Sequence, residues 1–100
     1  MRVCALVSDL MDRSKISAAL PDASFMVDGT AEVVIIDIAR SGPQVVAEIR
    51  AEMPGVRIVC FGPHVDDEAA DAARAAGADV VLPRSRFFRD PEAAIATVES

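Results

Sequence analysis

Residues 33 to 37 read Val-Val-Ile-Ile-Asp, four β-branched residues in a row followed by a carboxylate. Branching at Cβ restricts a side chain in a helix and suits a pleated sheet. A run with no polar position has no face to give to water. Such a strand must be covered on both sides, as a central strand of a parallel sheet is by its crossover helices. Residues 3–7 (VCALV) and 56–61 (VRIVCF) are runs of similar character, and 79–82 (DVVL) is a shorter one. Residues 24–27 (SFMV) make a weaker strand, followed by the turn signal Asp28-Gly29.

Helical patterns separate these runs. Asp12 is read as the cap of a helix over residues 13–20, with Met11 and Ile16 at the spacing of a hydrophobic staple and Pro21 ending it. Pro43 fits a first helical position behind Ser41 or Gly42. Val46, Ile49 and Met53 then recur at helical spacing, and Pro54-Gly55 closes the helix. Gly62-Pro63 makes a turn. Asp66-Asp67-Glu68 sets negative charge on the positive end of a helix dipole, and Gly77 ends that helix after Ala76. Asp90-Pro91-Glu92 opens a final short helix. Strands alternating with helices over 100 residues predict one α/β domain, residues 1–100, with helices on both faces of a parallel sheet. Aromatic residues are 4% of the chain, so the core is aliphatic.

A net charge of −6 argues against nucleic acid and anionic membrane as partners, since both demand clustered Lys and Arg. Cys4 and Cys60 lie inside apolar runs without metal-ligand spacing and read as buried, reduced thiols. With no membrane-length apolar run and no signal-peptide pattern, a cytoplasmic protein is expected. The segment after the first strand, SDLMDRS, contains no glycine, which argues against a phosphate-cradling nucleotide loop.

Open parallel sheets bind ligands beyond the carboxyl ends of their strands. This sequence sends Ser8 and Asp9, Asp37, Gly62 and His64, and Arg84 to that rim. Asp9, Asp37 and Arg84 together suit a metal ion or an oxyanion. Asp37 has a plainer reading as a strand-end residue accepting backbone N–H bonds, and Asp9 as a turn or cap residue. Ser8 serves local backbone donors, and His64, with no nucleophile beside it, reads as a surface residue. The segment Arg84-Ser85-Arg86-Phe87-Phe88-Arg89 is a basic, aromatic patch on an acidic chain. Either one Phe packs beneath the last helix and the arginines are solvated, or Arg84, Arg86, Phe87, Phe88 and Arg89 form a partner surface.

Three stretches, VVIID, FGPHVDDEAADAARAAGADVVL and ALVSDLMDRSKISAAL, together resemble the response-regulator receiver family. The resemblance implies a flavodoxin-like, three-layer, doubly wound sheet of five parallel strands in the order 2-1-3-4-5. It is shortened around strand two, because only residues 28–32 join strand two to strand three. It places Asp37 at the phosphoacceptor position, with Asp9 and Asp37 as the family's Mg²⁺ ligands. At the neighbouring positions Ser8 replaces an acid, Gly62 a hydroxyl residue and Arg84 a lysine. Pro83 precedes Arg84 rather than a proline following it, and Val81 stands where a switching aromatic is common. The expectation is therefore a stand-alone, degenerate receiver-like regulatory module. It would bind a protein partner or a second copy through the face of the fourth helix, fifth strand and fifth helix, and would have no enzymatic activity and no cofactor. The alternative is a phosphoacceptor with a variant site at Asp37, which would use Mg²⁺. A salt bridge from Arg84 to Asp37 would fill the pocket with the protein's own side chain.

Overall fold

The computed structural model describes residues 1–62 and 67–96. The readings at Pro63, His64 and Asp66 lie outside these residues. Four parallel strands form one sheet in the order β1-β2-β3-β4: β1 (Val3–Leu6), β2 (Val33–Asp37), β3 (Arg57–Gly62) and β4 (Val80–Pro83). The helices are α1 (Leu10–Ala19), α2 (Ile38–Glu52), α3 (Asp67–Ala76), α4 (Arg84–Arg89) and α5 (Pro91–Ala96).

The run that begins at Val33 is indeed the middle of the sandwich. Every residue of β2 is buried. Because side chains alternate across a strand, Val33 and Ile35 enter one core with Val3, Ala5, Ile16, Phe61, Phe87 and Ile95. Val34 and Ile36 enter the other with Val46, Ile49, Ile58, Cys60 and Ala73. Helices α1, α4 and α5 thus cover one face, and α2 and α3 the other. Alanines Ala70 and Ala73 let α3 lie close to the sheet. Both cysteines are free and buried, and burial pushes the Cys60 thiol up to about 12.

The α/β fold class matches the expectation, and the shortening falls where it was expected. The strand read over residues 24–27 contracts to one bridge, Cys4 to Ser24, on the outer edge of β1. Ser24 exchanges backbone bonds with Val3 and Ala5. Its Oγ then accepts the Met26 N–H at 3.2 Å, and this local turn draws the chain off the edge before a second pair can form. The connection into β2 is tied back to β1: Arg2 donates Nε to Thr30 Oγ1 at 2.8 Å, and its backbone N–H to Glu32 at 2.9 Å.

Two helix starts differ from the sequence reading. Asp9, not Asp12, caps α1, so Leu10 and Met11 are helical, exposed residues and Met11 forms no staple. Helix α2 begins at once after β2 with Asp37 as its cap, then breaks at Gly42, whose φ of 74° lies in the left-handed region open to glycine. The longer segment restarts at Pro43, as its preference for a first helical position implies. The segment Arg84–Arg89, to which the sequence reading assigned no element, is a short helix.

Candidate functional site: an internally neutralised carboxylate rim

The sheet brings Asp9, from the β1–α1 junction, and Asp37, from the end of β2, to one edge. Arg84 arrives from the end of β4. Two side chains not assigned to the rim from sequence complete the group: Asp12, read there as a helix cap and found on the first turn of α1, and Arg40, on the first turn of α2. Together with Ala39 these residues line an open cavity of about 260 Å³.

Each carboxylate has a defined set of partners. Asp9 Oδ1 accepts the Asp12 backbone N–H at 3.0 Å, the usual bond of a helix cap. That bond, helped by Arg40 and Arg84, holds the Asp9 carboxyl below the ordinary aspartate value. Asp37 does the same for α2, accepting the Ala39 N–H at 3.1 Å. The remaining oxygens of Asp9 and Asp37 face one guanidinium. Arg40 Nη2 stands 3.8 Å from Asp9 Oδ2, and Arg40 Nε 3.8 Å from Asp37 Oδ2.

Asp12 is the surprise. Its side chain is 2% exposed, at the base of the rim cavity. A buried carboxylate needs a counter-charge and hydrogen bonds to both oxygens. Arg84 supplies them as a fork, Nη1 to Oδ2 at 2.6 Å and Nη2 to Oδ1. The planar cation also lies over the Phe88 ring, 5.0 Å from its centroid, and near Phe61 at 5.9 Å. Hydrogen bonding to Asp12, with the charges of Asp37 and Asp9 behind it, raises the Arg84 pKa further above its ordinary value.

The salt bridge considered from sequence therefore forms with a different acid: Arg84 binds Asp12, not Asp37. The two are 72 positions apart in sequence, so no spacing rule links them. A signal for Asp12 did exist. Asp9-x-x-Asp12 has the cap-to-third-residue spacing of a helix start, and choosing the first acid as cap frees the second to point inward.

Of the partner surface read over residues 84–89, Phe87 is removed by the structure. It is fully buried, stacked on Phe61 at 4.9 Å, and cannot meet another molecule. Phe88 is half-buried against both rings, and Arg84 is committed to Asp12. Arg86 and Arg89 remain exposed, beside a cavity of about 220 Å³ that Leu82, Asp90, Ala93 and Ala94 also line.

No protein-family model matches the sequence, and no curated protein does. Solved structures match its shape. A response regulator from Thermotoga maritima superposes with a TM-score of 0.73 at 13% identity, covering 95% of this chain and 97% of that one. An orphan response regulator of H. pylori gives 0.76 at 16% identity, with 99% and 93% covered. A response regulator from Burkholderia pseudomallei, carrying a phosphorylated aspartic acid, a calcium ion and citrate, gives 0.73 at 18% identity, with 95% and 66% covered. The chain has the response-regulator receiver fold. Asp37 ends β2 at the rim where the sequence resemblance implies Mg²⁺.

The residues present do not fit that ion. Mg²⁺ asks for near-octahedral oxygens at roughly 2.0–2.1 Å. Every carboxylate oxygen of Asp9, Asp12 and Asp37 already faces a backbone N–H or a guanidinium. Ser8, at the other expected ligand position, is neutral and exposed. Among the described residues, no group of three or more His, Cys, Asp or Glu converges on a metal site.

Proposed function

We propose that this receiver fold is a degenerate one, a regulatory module that acts by binding protein and does not pass phosphoryl groups in the Mg²⁺-dependent way. One observation carries this reading: the side chains at the acceptor and lysine positions are both engaged elsewhere. Asp37 caps α2 and faces Arg40, while Arg84 is held by a buried acid on α1. An arginine fork locked on one carboxylate cannot also close over a phosphoryl group as a mobile ammonium would. A regulatory module of this kind has no enzymatic activity of its own. Among the described residues no helix is long and apolar enough to cross a membrane.

The partner face favoured here is the one around β4, α4 and α5, where Arg86 and Arg89 flank the cavity floored by Leu82 and Ala94. Exposed arginines beside an apolar floor suit an acidic protein surface or a second copy of the chain.

The second reading, a phosphoacceptor with a variant site, has the open cavity beside Asp37 in its favour. Incubation with a small-molecule phosphodonor and Mg²⁺, followed by intact-mass measurement, separates the two. No phosphoryl adduct is expected. A phosphoryl adduct lost in an Asp37→Ala variant would overturn the degenerate reading and establish the second.

A further inference from the structure

The misfit between this rim and a divalent ion has a specific author among the residues. We propose that Arg40 is the resident cation of the rim, offsetting part of the charge of Asp9 and Asp37 in place of a metal ion and keeping one out. This inference rests on the degenerate-receiver reading and names what enforces it.

Asp12 and Arg84 form a closed pair, so they leave Asp9 and Asp37 as the carboxylates open to an added cation. The inner oxygen of each caps a helix. The outer oxygens of both lie 3.8 Å from the same guanidinium, one at Nη2 and one at Nε. No other arginine or lysine of the described residues bridges these two acids.

The position of Arg40 is set locally. It follows Asp37 by three residues, on the single helical turn that Asp37 itself caps and that Gly42 breaks. Residues three apart on a helix share a face, so capping by Asp37 brings Arg40 back over the Asp37 carboxylate and toward Asp9. The arrangement is encoded in the short span from Asp37 to Gly42.

The bridge is also easy to remove. The Arg40 side chain is 60% exposed and joins neither core. Exposed ion pairs at such distances add little stability. Its consequence is therefore electrostatic: a positive charge beside two carboxylates opposes the approach of a second, doubly charged cation. Without it, the outer oxygens of both acids would face the cavity with Arg84, already committed to Asp12, as the remaining nearby positive charge.

Mn²⁺ is a suitable probe, since it accepts the same oxygen donors as Mg²⁺ and broadens nearby amide resonances. In a titration of the full chain, the wild type is expected to show no saturable broadening at residues 9 and 37. Arg40→Ala should gain it, with affinity higher by about tenfold or more for the removed charge. Arg40→Lys, which keeps the charge, should behave as the wild type. Arg74→Ala, which removes an exposed arginine outside the rim, should also leave the rim unresponsive.

Equal binding by wild type and Arg40→Ala would overturn the proposal. So would an Arg40→Ala rim that still ignores Mn²⁺, or gain of binding in Arg40→Lys. None of these results depends on phosphorylation. A wild type inert to phosphodonor alongside an unresponsive Arg40→Ala would sink the role of Arg40 and leave the degenerate-receiver reading standing.

Discussion

Two arginines sit at opposite ends of the sheet and do different work. Arg50, near the end of α2, spreads its guanidinium over backbone carbonyls. It donates to Pro54 O at 2.8 Å, Val56 O at 2.6 Å and Gly77 O at 2.8 Å, and to Asp79 Oδ2 at 2.9 Å. It ties together the turns after α2 and α3, and Asp79 in turn accepts the Ile58 N–H. Arg84, at the rim, commits its fork to one buried acid and lies over an aromatic ring. Arg50 divides its bonds among three carbonyls and a carboxylate. Arg84 gives both of its terminal nitrogens to one carboxylate that is almost wholly covered. Similar chemistry thus becomes a clip at one end and an obligatory charge pair at the other.

The comparison predicts unequal losses. Arg84→Ala leaves the buried Asp12 carboxylate without its counter-charge, and breaking one side of a buried pair costs about 3–5 kcal/mol. Partial exposure of Arg84 itself pulls the value toward the lower end. Urea unfolding of the variant measures it. Replacing both partners, Asp12→Leu with Arg84→Met, should recover much of that loss, because the pair's desolvation cost disappears with its attraction. A double variant as unstable as Arg84→Ala would show that the aromatic contacts, and not the stranded charge, carry the effect.

The split between the two ends also explains what the sequence disclosed. The runs at residues 33–36 and 58–61 were legible because burial on both faces removes every polar position from the pattern. The strand at 24–27 read as weaker from the start, and the Ser24 hydroxyl competes for the Met26 N–H and leaves only one bridge. At the rim, Asp9, Asp37 and Arg84 were legible as strand-end residues, since the fold alone sends them there. Asp12 was not, because its role depends on which of two acids three residues apart caps α1. Arg40 was hidden for a related reason: the expected start at Pro43 left residues 38–41 outside any helix, so nothing placed Arg40 over Asp37.

At the other end, Arg50→Ala should cost less, about 1.5–3 kcal/mol for charge-assisted hydrogen bonds that water replaces in part. Gly77 sharpens the point. Its φ is +124°, and a Cβ there would stand 2.8 Å from Arg50 Cγ. Gly77→Ala should therefore lose about 1–3 kcal/mol from backbone strain and crowding together. A double-mutant cycle separates these. In the Arg50→Ala background the crowding disappears while the strain at φ stays, so the Gly77→Ala penalty should shrink without vanishing. A penalty unchanged by Arg50→Ala would mean that the arginine stem does not pack on this turn.

The smallest effect is a dependence on pH, and it belongs to the rim. Asp9 is held below its ordinary value of 3.8, first by the Asp12 backbone N–H and then by the nearby arginines. A carboxyl whose folded pKa is depressed contributes stability that is fully present above the unfolded value and is lost as pH falls through the folded one. The Asp9 contribution should thus be intact near neutrality and fade below pH 3.8. Asparagine is as good a helix cap as aspartate but does not titrate. Asp9→Asn should consequently change stability little at pH 7 while flattening the acid limb of a denaturation series. Asp28 is likewise held below the ordinary aspartate value, by its bonds to Thr30, so Asp28→Asn is the matched control on the link beside β1. If the two variants flatten the acid limb additively, the charges act separately, as their places at different corners of the fold require. If Asp9→Asn leaves the acid limb as steep as before, the cap and not the charge is what α1 draws from this residue.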